Sequence, residues 1–235
     1  MPIGVLCNVL AVAIGGLIGA KSGARMSAEL KEKLNLIFGI CSMGIGINSI
    51  ILMENMPAVV LAMIVGTSLG IAIHLGRRIE KGGKRLAGLI PGKKDCLDQG
   101  LMVTTIVLFC ASGTGIYGSI VSGMSGDHSI LLAKSILDLF TALIFACSLG
   151  TVVSLVAIPQ CIIFLLLFFC ARLIFPLTTP SMINDFKACG GLIMLATGFR
   201  IAKIHDFPIA DMIPAMLLVW IFSWLWSAGI VPLLG

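Results

Sequence analysis

Residues Asp127–Val156 read DHSILLAKSILDLFTALIFACSLGTVVSLV, with Asp127, Lys134 and Asp138 as the only formal charges. A bilayer core about 30 Å thick is crossed by about 20 apolar residues of helix, so this run is long and apolar enough to span it. Two of its charges then fall inside the membrane. Asp138 lies eleven residues in, about 16 Å deep at 1.5 Å per residue, close to the midplane. Lys134 is one turn earlier, at the i, i+4 spacing where helix side chains pair. A charge at mid-bilayer costs at least about 2.5–3.5 kcal/mol, which asks for a reason. One reading is an ion- or proton-linked site. The other is a buried Lys–Asp pair that fixes helix packing.

The rest of the chain repeats the apolar pattern. Of 235 residues, 58% are hydrophobic and 11% charged, against about 25% charged in a soluble domain. Mean hydropathy is +1.10. These values exclude a water-soluble fold. Eight segments qualify as spans: Ile3–Ala20, about Glu29–Met53, Pro57–Arg77, about Cys96–Ser122, Asp127–Val156, Ile158–Phe175, Ser181–Ile204 and Pro208–Pro232. The expected fold is all-α, a polytopic transmembrane bundle of about eight helices in a single integral membrane domain over 1–235.

Charge placement sets the expected topology. Lys21, Arg25, Lys31 and Lys33 lie in or after the first loop, and Arg77, Arg78, Lys81, Lys84, Arg85, Lys93 and Lys94 in the third, a basic stretch over 78–95. The second and fourth loops carry Glu54 and Asp127 without Lys or Arg. The positive-inside rule puts the basic loops in the cytoplasm and both termini outside. Arg200, Lys203 and His205 agree, with Arg200 read as an interfacial anchor; Trp220, Trp224 and Trp226 read as an aromatic belt, and Arg172 dissents mildly. No basic region precedes the first apolar stretch, so that helix is expected to be retained. The eight cysteines (Cys7, Cys41, Cys96, Cys110, Cys147, Cys161, Cys170, Cys189) lack CxxC spacing or nearby histidines and read as small buried hydrophobes rather than metal ligands. Gly88–Lys94 superficially resembles a phosphate loop but lacks its spacing and its Ser or Thr; attraction to anionic lipid explains the run. No cofactor, nucleic-acid partner or catalytic set is expected. Asp127 is expected to cap the fifth helix.

Polar stripes distinguish the fourth and fifth segments, the central pair over 96–156. Asp127, Lys134, Thr141 and Ser148 recur at sevens with Ser135 and Asp138 beside them, and Asp98, Thr105, Ser112 and Ser119 do the same, each set staying near one helical face. Ser112-Gly113-Thr114-Gly115-Ile116-Tyr117-Gly118-Ser119 leaves two readings open: a discontinuous helix lining a site, or close packing by small residues. Packing is the reading for Gly4, Ala11, Gly15 and Gly19. At a constant offset of 152, Asn8 falls on Gln160, Gly39 on Gly191, Gly46 on Gly198 and Glu54 on Asp206. Helices one to three (1–78) then correspond to six to eight (157–235) as an inverted repeat, a plan common among secondary transporters, although coincidence also accounts for so few identities. Asn8, Asn48, Gln160 and Arg200 are weaker site positions.

Gly126–Leu131 continuing through Lys134–Asp138, together with Gly4…Asn8, Pro159-Gln160 and Gly190-Gly191, resembles the YqgA/YdfK-like bacterial inner-membrane proteins, a family of unknown function (domain of unknown function 554). The resemblance covers almost the whole chain. It implies a multi-pass protein of the bacterial cell membrane and little about substrate. The family's Gly-x-Asn is kept at Gly46-Ile47-Asn48, whereas Gly198-Phe199-Arg200 and Ser112–Ser119 depart from its pattern.

The leading expectation is a secondary transporter or channel-like permease for a small ion or polar solute. Asp138 would be the titratable or cation-binding group with Lys134 as partner, and Ser112, Thr114, Ser135 and Thr141 would supply neutral ligands. The alternative is a non-transporting membrane scaffold or regulator, a homo-oligomer through its glycine faces, in which the Lys–Asp pair is structural.

Overall fold

A computed structural model describes residues 1–22, 27–89, 99–110 and 112–230. Arg25, Pro91–Lys94, Cys96 and Asp98 lie outside these, as does the side chain of Ser148. Among the described residues the regular structure is helical, with no strand. In order come α1 (Ile3–Ser22), α2 (Ala28–Ile50), α3 (Met56–Ala72), α4 (Leu75–Leu89), α5 (Gln99–Cys110), α6 (Gly113–Ser125), α7 (Ser129–Leu149), α8 (Val152–Leu155), α9 (Ala157–Ile174), α10 (Pro180–Ile201), α11 (Ile209–Met212) and α12 (Ala215–Leu225).

The helices wear their apolar residues outward. In α1, Leu6, Leu10, Ile14 and Leu17 are exposed while Val5, Asn8 and Val12 are buried; in α9, Ile158, Ile162, Leu166 and Phe169 are exposed while Gln160, Phe164 and Phe168 are buried. An apolar outer face with polar residues inside is what hydrocarbon solvent selects. Among the described residues, five helical stretches are long and apolar enough to cross a membrane: Ile3–Lys21, Glu32–Ile50, Ser129–Cys147, Val152–Leu173 and Ile209–Gly229. Met56–Ala72 with Leu75–Gly82, bent by 60°, adds a sixth if counted as one span.

That count differs from the expected eight for two physical reasons. The fourth segment is interrupted, leaving α5 and α6 at 12 and 13 residues, each about 18–20 Å long and too short to cross alone. The seventh segment, α10, carries Asp185, Lys187 and Arg200, which lower its apolar content. The third segment also ends earlier than expected, at Ala72; His74 follows at φ 54, in the left-handed region. Part of the expected basic loop is therefore the helix α4. Its Leu75, Ile79 and Gly82 are half-buried, and Arg77, Arg78, Lys81, Lys84 and Arg85 are exposed, with Lys84 paired to Glu80 at 2.9 Å. This is the pattern of a helix lying along an interface.

The chain forms two compact units, with boundaries inside α2 and α4 and before the last residue of α9. The first contains Met1–Asn35 and Arg78–Leu173, the second Leu36–Arg77 and Ile174–Gly235. In the first, α1 runs alongside α7 so closely that a Cβ at Gly15 or Gly19 would collide with the carbonyl oxygens of Leu139 or Leu143. In the second, α2 crosses α10 through reciprocal glycine contacts. A Cβ at Gly39 would stand 2.8 Å from the Gly198 oxygen and one at Gly198 2.6 Å from the Gly39 oxygen; Gly46 and Gly191 meet the same way, at 2.7 and 2.6 Å. These six glycines thus serve helix contacts inside their own units.

Candidate functional site

The polar centre of the first unit lies where α1, α7 and α9 meet. Asp138 is the tenth residue of the 21-residue α7, about 14 Å from its start. Lys134 Nζ donates to Asp138 Oδ1 at 2.8 Å and Oδ2 at 2.7 Å. Both residues are buried, at 4% and 6% exposure. The close packing of Gly4, Gly15 and Gly19 against α7 lets a short side chain reach across, and Asn8 Nδ2 donates to Asp138 Oδ2 at 2.8 Å. Gln160 Nε2 in turn donates to Asn8 Oδ1 at 2.7 Å. Asn8 and Gln160 are fully buried. Among the described residues, Gln160 Oε1 is the one buried side-chain N or O atom with no hydrogen-bond partner.

Four of the expected site residues are therefore brought together: Asn8, Lys134, Asp138 and Gln160. Their charges are opposite and adjacent, so the cluster is neutral as a whole while remaining strongly polar.

The others are placed differently. Ser112 sits at the helix interruption, extended at φ −71, ψ 139, where its Oγ accepts the Gly115 N–H at 3.1 Å and caps α6. A discontinuous helix and close packing turn out to coexist. A Cβ at Gly115 would overlap the Phe164 ring of α9, and one at Gly123 the Phe168 carbonyl. Thr114 is buried in the first turn of α6. Ser135 and Thr141 donate to their own helix, to Leu131 O at 2.6 Å and Leu137 O at 2.8 Å, so their hydroxyl protons are turned back from the cluster. Asn48 is exposed and belongs to the second unit; it lies two residues from Gly46, which faces α10. Arg200 pairs with Asp206 at 2.9 Å on an exposed surface. His128 rather than Asp127 occupies the cap position of α7, while Asp127 Oδ1 accepts the Ser129 N–H at 2.9 Å.

Cysteine placement also differs in part. Cys110 and Cys189 are buried, but Cys41 and Cys170 are exposed: a small apolar residue in a membrane helix is as well placed facing lipid as facing the core. Among the described residues no group of three or more His, Cys, Asp or Glu could hold a metal ion.

A second polar centre was not anticipated. Asp185 of α10 is fully buried. Its Oδ1 accepts the backbone N–H groups of Glu54 and Asn55 at 3.0 and 2.8 Å, and its Oδ2 accepts Asn55 Nδ2 at 2.8 Å and Ser223 Oγ at 2.6 Å. The carboxylate holds the entry to α3 against α10 and α12. An Asp inside an apolar run is the same signal that singled out Asp138; here a companion Lys at i−4 is missing, and the interest of the position was masked by neighbouring polar residues.

The family model described as "Protein of unknown function (DUF554)" matches residues 3–224. The chain is 46% identical over 232 residues to "Uncharacterized protein YqgA" of Escherichia coli (strain K12), covering 97% of this chain and 99% of that protein. It is 24% identical over 225 residues to "Uncharacterized membrane protein YdfK" of Bacillus subtilis (strain 168), covering 92% and 93%. No solved structure matches.

Proposed function

This chain belongs to the DUF554 family, and we propose that it is a secondary transporter or channel-like permease for a small ion or polar solute in the bacterial inner membrane. Asp138 is the group that loads and unloads, and Lys134 neutralises it between events. The observation that carries this reading is the buried Lys134–Asp138–Asn8–Gln160 cluster at the middle of a membrane-length helix. Ionisable residues at that depth are costly and mark ion or proton pathways. The interruption between α5 and α6 supports the same reading, because irregular backbone at membrane depth is tolerated where it lies against protein or lines a cavity.

Two crossings favour an inverted repeat beneath the site. Asn8 meets Gln160, and Ser42 Oγ meets Met194 O at 3.2 Å, each pair separated by 152 residues. The contacts Gly39–Gly198 and Gly46–Gly191 exchange with one another under that same offset. Residues equivalent in two copies meet each other where a two-fold axis passes between antiparallel helices, the plan of many secondary transporters. The name of the Bacillus relative, a membrane protein, and the exposed basic face of α4 support a multi-pass protein with its basic segments in the cytoplasm and both termini outside.

The alternative, a scaffold or regulator, is favoured by one observation: Lys134 and Asp138 satisfy each other on a single helix. Reconstitution separates the two. Vesicles carrying the protein are loaded with ion- and proton-sensitive dyes and challenged with sodium, potassium and proton gradients. The transport reading expects a flux that Asp138→Asn reduces at least tenfold. Flux unchanged by Asp138→Asn would remove Asp138 from the mechanism.

A further inference from the structure

A carboxylate can only accept hydrogen bonds, whereas a primary amide carries both an acceptor and a donor end. Orientation in the cluster is therefore forced. With Asp138 ionised, Asn8 presents Nδ2 to it; Asn8 Oδ1 must then face Gln160, which presents Nε2. Gln160 Oε1 is left at the end of the series, fully buried and without a partner. A buried acceptor in that condition costs free energy unless a donor reaches it.

What Oε1 faces follows from α9. Val156, Gln160 and Phe164 are four residues apart, on one buried face. Cys110, the last residue of α5, lies with Sγ 4.0 Å from Val156 O, and Gly115 in the first turn of α6 packs on the Phe164 ring. Gln160 stands between these two contacts, on the face of α9 that packs against the end of α5 and the first turn of α6. Ser112 takes the N–H groups of Gly115 and Ile116, which leaves those of Gly113 and Thr114, in the first turn of α6, without a partner in their own helix. A ligand there must donate to a carbonyl oxygen and accept from N–H groups. A metal cation does only the first and an anion only the second. Water does both.

We propose that Asn8 and Gln160 form a two-amide relay that converts the charge of Asp138 into the hydrogen-bond polarity of a water site at the α5–α6 interruption. This rests on the reading of Asp138 as the group that loads and unloads. While Asp138 is ionised, Gln160 shows the site its carbonyl oxygen. When Asp138 is neutralised by a proton, its hydroxyl donates to Asn8 Oδ1, both amides turn over, and Gln160 shows the site its NH2. Among the described residues, the groups around Asp138 are Lys134 on its own helix and Asn8 of α1, with Gln160 of α9 reaching it through Asn8, and the Cys110 thiol of α5 within electrostatic reach of the pair. An amide passes polarity along but does not hand on a proton without becoming an imidic acid, so the relay senses the load while keeping protons from leaking through it.

The chain has two glutamines, Gln99 and Gln160, which makes the test direct. The full-length protein in lipid nanodiscs is labelled with 15N in the glutamine side chains and 13C in the aspartate carboxyls, and Gln160→Leu identifies the Gln160 signal. On pH titration the Gln160 NH2 signal is expected to move with the same midpoint as the Asp138 carboxyl carbon. Asn8→Leu should abolish the Gln160 step while Asp138 still titrates. If that variant fails to fold, Asp138→Asn should abolish the step instead. A Gln160 signal that keeps one position across the titration overturns the relay, as does a step that survives Asn8→Leu. A static signal in a protein whose flux depends on Asp138 unseats the relay alone; a titrating signal in a protein whose flux ignores Asp138 unseats the transport reading alone.

Discussion

The Lys134–Asp138 pair should behave as one energetic object, and a double-mutant cycle reads this. Lys134 Nζ reaches both carboxylate oxygens, at 2.8 and 2.7 Å, with both residues almost fully buried. Lys134→Met leaves the carboxylate with Asn8 Nδ2 as its remaining donor, and removing one partner of a buried pair costs about 3–5 kcal/mol. Asp138→Asn leaves the ammonium beside a neutral amide, at a similar cost of about 3–5 kcal/mol. The double variant has no stranded charge. It loses hydrogen bonds worth about 0.5–1.5 kcal/mol each, so it should be destabilised by only about 1–3 kcal/mol. The expected coupling is then at least about 3 kcal/mol, within the range measured for close buried charge pairs. The assay is reversible unfolding in mixed micelles, followed by tryptophan fluorescence, for all four proteins. Single effects that add up to the double within about 0.5 kcal/mol would refute the reasoning, since independent sites behave that way.

Other outcomes follow from the packing. Gly19→Leu should cost at least about 1–3 kcal/mol through overpacking of α1 on α7, read as a lowered melting temperature. Gly44→Ala, where an added Cβ meets nothing within 4 Å, should stay within about 0.5 kcal/mol of the parent or stabilise it slightly. Asp185→Leu strands two backbone N–H groups and the Ser223 hydroxyl, while Asn55 Nδ2 keeps Ser181 Oγ as a partner at 2.8 Å, so its unfolding midpoint should fall further than that of Ser112→Ala, which loses one helix cap at about 1 kcal/mol. In a cysteine-free background, Lys84→Cys should react with an impermeant thiol reagent in inside-out vesicles and stay protected in intact cells; the reverse would invert the topology.

The sequence exposed some of this structure and concealed the rest, for physical reasons. Lys134 and Asp138 were legible because i, i+4 spacing inside an apolar run admits few other readings. Asn8 and Gln160 were legible only as weak positions. Nothing local to either says that glycines at 4, 15 and 19 bring α1 close enough for Asn8 to touch Asp138, since that is a tertiary fact. Ser135 and Thr141 share the polar stripe, yet helical hydroxyls have a nearby acceptor in their own backbone at i−4, and both take it. The interruption at Ser112 was ambiguous because glycine serves both a broken helix and a tight contact, and here it serves both. Part of the basic stretch 78–95 read as loop because its charges hid the period of Leu75, Ile79 and Gly82.

The most direct test of the central claim uses the neutral double variant Lys134→Met/Asp138→Asn. Its fold should be largely preserved because no charge is stranded, so a change in function cannot be attributed to loss of the protein. Reconstituted at matched folded amount beside the parent, it should show flux reduced to the level of empty vesicles. Flux equal to the parent's would contradict the account, reducing the buried pair to a packing device.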